Sequence, residues 1–323
     1  LMTLTAHSRV VGANSDIRIG VIGTGQKGSD LARHAIQIPG VRLVALAGCA
    51  QLAQQPGDTD QALLWRLDRD DTPPSYLLGT MHSADPRIVE LPQPVAKAFA
   101  DSKRLVLEAV LDQQARNDLS MAMFYHDDTR LADVIGPRLF NDAAAAMEAR
   151  GVATDVVQRM KPWAVFNLLS MPAGESGAFL DRRLQQRARE RGEPVFGLET
   201  VAEQLTPFEF LPVEHQIDLL QDTLTHLDQI PEWNEQLVQA YLDRDLPRLR
   251  RLAAEEMTLM NEPLKEFFQR EFIVQRNYRM AERMQPWLKQ GRTFVAVGAL
   301  HLPGEEGLLQ LLRNRGYRVS PVY

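Results

Sequence analysis

The sequence predicts an α/β fold with a mixed, mostly buried sheet, flanking helices and a long helical insertion. Three observations predict it. Short apolar β-type runs occur near both ends of the region 61–323, amphipathic helical patterns lie between them, and the longest helical stretch fills the middle. The β-type runs are residues 76–80, 104–110, 194–198, 293–297 and 317–322.

The helical segments follow from apolar spacing. Residues 85–100 form the first of them. Residues 213–230 repeat apolar side chains every three or four positions, which places them on one helix face. Residues 264–288 predict one long helix, whose apolar side chains are available for the core and whose end is set by Gly291.

Composition excludes several classes of protein. The chain has 323 residues, is 45% apolar and carries a net charge of −6, so a basic nucleic-acid-binding face is not expected. No run approaches about 18 uninterrupted apolar residues, so no membrane-spanning helix is predicted. Cys49 is the only cysteine, which excludes intrachain disulfides and cysteine-rich zinc sites.

Residues 1–60 differ from the rest and are predicted to be a leader and linker, with residues 61–323 as the main domain. Two β-type runs, residues 16–22 and 41–47, flank Gly23, Gly25 and Gly28, which is the spacing of a dinucleotide-binding turn. This stretch resembles the first βαβ unit of the Gfo/Idh/MocA-type oxidoreductases, which implies an NAD(P)-dependent enzyme. The acid expected after the second strand is replaced by Gly48 and Cys49.

Two other interpretations of the leader stay open. Residues 46–49 (LAGC) look like a bacterial lipoprotein cleavage box, which predicts export to the cell envelope or periplasm and a membrane tether through Cys49. The preceding apolar core is short and interrupted by Pro39 and Arg42, unlike an ordinary export signal. The third interpretation is a disordered or artefactual leader.

Two histidines share one local pattern. Residues 75–82 (SYLLGTMH) and 293–301 (TFVAVGALH) are each an apolar strand that runs into G-x-x-H, ending at His82 and His301. A glycine at a strand end permits a sharp turn, and ligands of open α/β sheets bind at the carboxyl edge of the strands. Imidazole is a common metal ligand and acid/base, although two hydrogen-bonded structural histidines would give the same pattern.

Two glutamates occupy equivalent positions. Glu108 and Glu199 each follow an apolar run, where a buried acid needs a cation, a cluster of donors or a metal ion. His82, His301, Glu108 and Glu199 are therefore predicted to converge on one divalent ion. The alternative is that each glutamate caps the next helix or pairs with an arginine.

Arg276 and Asn277 lie within the predicted helix 264–288. Arg276 falls on the face that should be apolar, where it can clamp a carboxylate with two hydrogen bonds or orient a metal-bound glutamate. The alternative is a surface ion pair with Glu271 or Glu282.

Taken in order, these motifs resemble the TraB/PrgY/GumN family and, more distantly, the Tiki metalloproteases. The resemblance covers about residues 62–323. The matching positions are 77–82, 107–108, 161–163, 197–200 with 203–205, 276–277 with 280–281, 297–302, 304, 307–309 and 316–317.

The resemblance implies a metal-dependent hydrolase. It carries over His82, His301 and Glu108 or Glu199 as metal-site residues, with Arg276 and Asn277 in the pocket, and it favours export. We therefore predict a peptidase that acts on peptides or proteins, with one glutamate as ligand and the other as proton acceptor. Zinc, manganese, cobalt and iron all suit the donors. The alternatives are a non-catalytic protein that binds a peptide or an iron-containing ligand, and the NAD(P) oxidoreductase.

Overall fold

The computed structural model describes the backbone of residues 17–22, 41–47 and 256, and residues 61–69, 71–171, 179–255, 260 and 262–323 in full. The chain divides into two units, residues 1–57 and 58–323. In the first unit, β1 (Ile17–Ile22) pairs in parallel with β2 (Val41–Ala47), which confirms the two predicted strands. The glycine turn, the helix between them and Cys49 lie outside the described residues.

The second unit contains a six-stranded mixed sheet, which confirms the predicted fold class. Its strands are β3 (Leu64–Asp68), β4 (Ser75–Thr80), β5 (Arg104–Leu107), β6 (Val195–Gly197), β7 (Thr293–Gly298) and β8 (Arg318–Pro321). The spatial order is β6-β5-β7-β4-β3-β8. Strands β6, β5, β7 and β4 are parallel, and β3 runs antiparallel to both β4 and β8.

Strand β3 was not predicted from the sequence. It pairs with two neighbours, and its side chains Leu64, Trp65 and Leu67 are buried. Arg66 interrupts the apolar run, and it ion-pairs with Asp68 at a half-exposed position. The strand is stabilised by pairing on both sides, which a local pattern does not report.

Helices connect and cover the strands. They are Pro86–Val89, Gln93–Asp101, Gln113–Met123, Leu131–Ile135, Pro137–Glu148, Thr154–Val157, Pro162–Ser170, Leu180–Glu190, Val201–Phe210, Val213–Thr225, Ile230–Leu242, Leu246–Glu256, Glu262–Phe268, Gln275–Arg283, Gln285–Leu288 and Leu308–Arg313.

Three predicted helices are shorter than the sequence indicated. The segment 85–100 breaks where Glu90 adopts an extended conformation before Pro92, and the segment 213–230 ends as a regular helix at Thr225. The segment 264–288 is interrupted by a π-helical turn, Gln269–Val274. A π-helical turn inserts an extra residue, and such insertions are frequent at functional sites. Gly291 follows with φ +66°, as predicted for a residue that ends a helix.

The helical insertion has a hydrophobic core of its own. Trp163, Met160 and Met147 are buried in it, and the helix Val213–Thr225 packs against the helix Pro162–Ser170. The main core surrounds the sheet, where Phe294 of β7 contacts Phe99 edge to face. The strand ends that carry the site therefore belong to the main core, while the helical insertion has a separate one.

Candidate active site

The carboxyl ends of four parallel strands lie at the same edge of the sheet. His82 is two residues beyond β4, Glu108 directly follows β5, and Glu199 is two residues beyond β6. His301 ends the 3₁₀ turn Ala299–His301 that follows β7. The fold therefore brings all four predicted residues to one edge, as the sequence indicated.

The motif glycines provide space for neighbouring atoms. A Cβ on Gly79 would lie 2.8 Å from Leu302 Cδ1 and 3.1 Å from Ala299, so the first motif packs directly against the second. A Cβ on Gly298 would lie 3.2 Å from Glu108 Oε1. Gly298 has φ −53°, and neither glycine has a positive φ. The chain does turn after Gly298, into the 3₁₀ turn Ala299–His301, but the backbone conformation there is open to other residues. Close packing is what requires glycine at both positions.

Asn277 determines how the His301 ring is held. The Asn277 side-chain amide donates to the Glu306 carbonyl oxygen at 2.8 Å, so its own oxygen faces His301. His301 Nδ1–H donates to that oxygen at 2.7 Å. The other ring nitrogen, Nε2, is therefore an acceptor, and it lies 3.6 Å from Glu108 Oε1. A hydrogen bond that fixes the tautomer in this way is typical of metal-binding histidines.

Glu108 is held as a carboxylate by three groups. Gly298 N–H donates to its Oε1 at 2.5 Å, and Arg276 Nη2 and Gln204 Nε2 donate to its Oε2 at 2.6 and 3.2 Å. Burial raises the pKa of Glu108, but protonated His301, Arg276 and the Gly298 N–H outweigh burial and lower the pKa to about 2. Glu108 is consequently ionised at neutral pH.

His301 is neutral under the same conditions. Burial lowers the pKa of His301 to about 4, and the charges of Arg276 and His82 act in the same direction, while Glu108 opposes them. Above that pH the imidazole carries no charge, so Arg276 and the Gly298 N–H hold Glu108 ionised. A neutral imidazole beside a carboxylate offers two acceptor atoms in one buried place.

Glu199 faces arginines. Its side chain is 0% exposed, Arg276 Nε donates to Oε2 at 2.8 Å, and Arg279 Nε donates to Oε1 at 2.8 Å. Arg276 therefore bridges Glu199 and Glu108, and it does not form the predicted alternative surface pair with Glu271 or Glu282. Both carboxylate oxygens of Glu199 are occupied by guanidinium groups, which suits a residue that positions Arg276.

His82 is the most exposed member of the group. Its side chain is 74% exposed, and its Nε2 lies 3.8 Å from Asp181 Oδ2. Thr80 Oγ donates to the other Asp181 oxygen at 2.9 Å. Burial, and then the negative charge of Glu108, raise the pKa of Asp181 against the opposing effect of His82.

Sequence reasoning missed three residues of this cluster. Asp181 lies in the first turn of the helix Leu180–Glu190, where an acid is ordinarily a partner of the helix dipole, so no local pattern marks it as a site residue. Arg279 is one turn beyond Arg276 and could have been found from its helical spacing. Gln204 follows the capping box of Thr200 and Glu203 and bonds to both glutamates.

Some of these side chains could bind a divalent ion as they stand, but they do not form a complete set of ligands. His301 Nε2 and Glu108 Oε1 are adjacent acceptors, and Asp181 Oδ2 is a buried oxygen without a hydrogen-bond partner among the described residues. Mixed imidazole and carboxylate ligands suit zinc, manganese, cobalt and iron. Within the described part of the chain, no three such side chains are already close enough together to form a ligand set. Nor is any described helix long and apolar enough to cross a bilayer.

Comparison with known proteins gives consistent matches. Metalloprotease TIKI1 of Danio rerio is 25% identical over 326 residues, covering 85% of this chain and 65% of the relative. Metalloprotease TIKI2 of Xenopus tropicalis is 24% identical, covering 80% of this chain and 59% of the relative. The chain thus spans less than two thirds of the length of these relatives.

A bacterial relative matches over most of its own length. The uncharacterized protein YbaP of Escherichia coli is 24% identical over 243 residues, covering 74% of this chain and 87% of the relative. No solved structure matches the chain significantly. The family profile described as the TraB/PrgY/gumN family matches residues 63–321, which include all six predicted site residues. The chain therefore belongs to the TraB/PrgY/gumN family.

Proposed function

We propose that this protein is a metal-dependent hydrolase that cleaves peptide bonds at the carboxyl edge of its sheet. The observation that carries the proposal is the pair formed by His301 Nε2 and Glu108 Oε1, two acceptor atoms 3.6 Å apart at a buried position. Two acceptor atoms this close in a buried place repel each other, and a bound cation would remove that repulsion. The metalloprotease names of relatives at about 25% identity support the same reaction class.

His301 and Glu108 would hold the ion, and His82 is the neighbouring residue that would add a further ligand. When bound, such an ion polarises the scissile carbonyl and lowers the pKa of a bound water. Glu108 is suited to ligation because it stays ionised at neutral pH. Asn277 holds the His301 ring with Nε2 toward the site.

Arg276 orients the carboxylates and offers a donor to the substrate. Its Nε and Nη2 bond to Glu199 and Glu108, and these two contacts leave Nη1 for a substrate oxygen. Glu199 is less suited to accept a proton from water, because its two oxygens already accept from Arg276 and Arg279. In this proposal Glu199 is a positioning residue.

Metal analysis and peptide turnover test the proposal together. Protein purified without chelator is expected to contain a divalent ion, and to cleave members of a peptide library in a reaction that a chelator stops. His301→Ala and Glu108→Gln should lose both properties, and His82→Ala should weaken them. His226→Ala is the matched control, because His226 also lies near an acid, with Asp222 at 3.2 Å on the same helix.

The outcomes separate the hydrolase from its alternative. Unchanged metal content and turnover in all three site variants would refute the proposal. Metal binding with no turnover, under any of the four candidate metals, would instead favour a binding protein of the same fold. Location in the cell envelope and the tether through Cys49 stay predictions, which mass spectrometry of the protein from its native host would test.

A further inference from the structure

Each candidate histidine faces a polar side chain from a different helix. For His301 this side chain is Asn277, and the hydrogen bond is formed at 2.7 Å. For His82 the corresponding neighbour is Asp181, whose Oδ2 is 3.8 Å from Nε2. The first contact is a hydrogen bond that fixes the His301 ring. The second is a similar pair of a histidine and an oxygen acceptor, but its distance is too long for a hydrogen bond.

Asp181 is held in place independently of His82. Its Oδ1 accepts from the Thr80 hydroxyl at 2.9 Å, and its side chain is only 15% exposed. Its Oδ2 is buried and has no hydrogen-bond partner among the described residues. A buried carboxylate oxygen without a donor is costly, so this atom needs a donor that approaches from the site.

His82 is the neighbouring group that can supply this donor. Its ring lies 5.8 Å from the Phe179 ring, so Phe179 and Asp181 of one chain segment both border it. A small rotation of the exposed side chain would bring Nε2–H within hydrogen-bond distance of Oδ2.

We infer that Asp181 is a positioning residue for His82. It accepts a hydrogen bond from His82 Nε2–H, which leaves His82 Nδ1 as the acceptor that faces the site. The inference deepens the proposed function and rests on it for the role of the ion, but the contact itself exists without an ion. Carboxylate–histidine pairs of this kind orient the ring and raise its basicity as a ligand.

The contact is tested first in metal-free protein by NMR of histidine ring nitrogens. Wild type should show His82 protonated at Nε2, with a proton that exchanges slowly enough to be detected. Asp181→Asn should remove that proton signal and shift both ring nitrogens. A His82 ring protonated at Nδ1 with a bare Nε2 would overturn the inference from the wild-type spectrum alone, even if the variant does not fold.

Glu193→Gln is the matched control. Glu193 also has a buried oxygen without a hydrogen-bond partner among the described residues, its side chain is 11% exposed, and it precedes β6 at the opposite edge of the sheet. This variant should leave the His82 resonances unchanged. An equal change in both variants would mean a general effect on the fold, and would overturn the specific pairing.

Calorimetric titration with Zn²⁺ and Mn²⁺ tests the consequence. Asp181→Asn alone should weaken ion binding roughly 10- to 100-fold relative to wild type. Added to His82→Ala, it should weaken ion binding no further. Binding that is equal in wild type and Asp181→Asn overturns the positioning role and leaves the metal proposal intact. If none of the four candidate ions binds wild type while Asp181→Asn still changes the His82 resonances, the metal proposal fails and the Asp181–His82 contact stands.

Discussion

The two G-x-x-H motifs have the same sequence spacing and opposite environments. His301 is buried, neutral and fixed by Asn277, and Glu108 lies beside it. His82 is 74% exposed and has Asp181 as a neighbour beyond hydrogen-bond distance. One histidine is thus preorganised, while the other has freedom to turn.

The difference arises from the elements around each strand end. Strands β7 and β4 both lie inside the sheet, but the helix Gln275–Arg283 lies against the end of β7, where Asn277 bonds to His301. Asn277 and Arg276 of that helix reach His301 and Glu108. Near β4 the described partner is the first turn of the helix Leu180–Glu190. A shared motif therefore gives a shared location, and the neighbouring helix determines how firmly the ring is held.

The largest effect on stability is expected from Arg276→Met, in the buried surroundings of His301. Arg276 is 11% exposed and pairs with two buried glutamates, so its loss leaves their charges without that partner. We expect the free energy of unfolding to fall by about 3–5 kcal/mol, measured by denaturant titration. Arg270→Met, in an exposed pair with Glu271, should cost under about 1 kcal/mol. Similar losses in both variants would contradict the buried cluster.

Removing each histidine in turn compares the surroundings of the two motifs directly. His301→Ala leaves the Asn277 oxygen buried without its donor and should lower the free energy of unfolding by about 1–3 kcal/mol. His82→Ala removes an exposed ring and should change it by less than about 0.5 kcal/mol. Thermal unfolding of both metal-free variants measures the difference. Equal destabilisation would show that the two rings are equally integrated in the fold.

The motif glycines sharpen the comparison further. Gly79→Ala brings a methyl group against Leu302 and Ala299 and should cost about 1–3 kcal/mol in stability by overpacking. Gly298→Ala places its methyl group 3.2 Å from Glu108 Oε1. It should therefore reduce the free energy of metal binding by more than it reduces the free energy of unfolding. Parallel unfolding and Zn²⁺ titrations of the two variants would test this division. The reverse ranking would contradict it.

The last comparison concerns pH. The pKa of His301 is about 4 in the folded protein and near the ordinary histidine value of 6.5 in the unfolded chain, so the unfolded state binds more protons between these values. The contribution of His301 to stability is complete above pH 6.5 and is lost as the pH falls toward 4. Metal-free wild type should therefore lose stability more steeply across this range than His301→Gln. Parallel curves in denaturant titrations at several pH values would contradict the shift.

Much of the site was predictable because its residues follow strands. Periodicity identified β4, β5, β6 and β7, and parallel strands bring their carboxyl ends to one edge, which places Glu108 and His301 together. Arg276 was identified because a charged residue on an apolar helix face needs a buried partner. The π-helical turn before it, strand β3 and Asp181 were not predicted, because each depends on neighbours distant in sequence.

The sequence by itself determined the fold class, the six candidate residues and the edge at which they meet, since these follow from local apolar patterns and from residues next to strand ends. Only the tertiary structure decided what each residue contacts. It placed Glu199 between Arg276 and Arg279, fixed His301 through Asn277, and left His82 exposed near Asp181. The physical reason is that burial, charge pairing and tautomer depend on side chains brought together from distant helices.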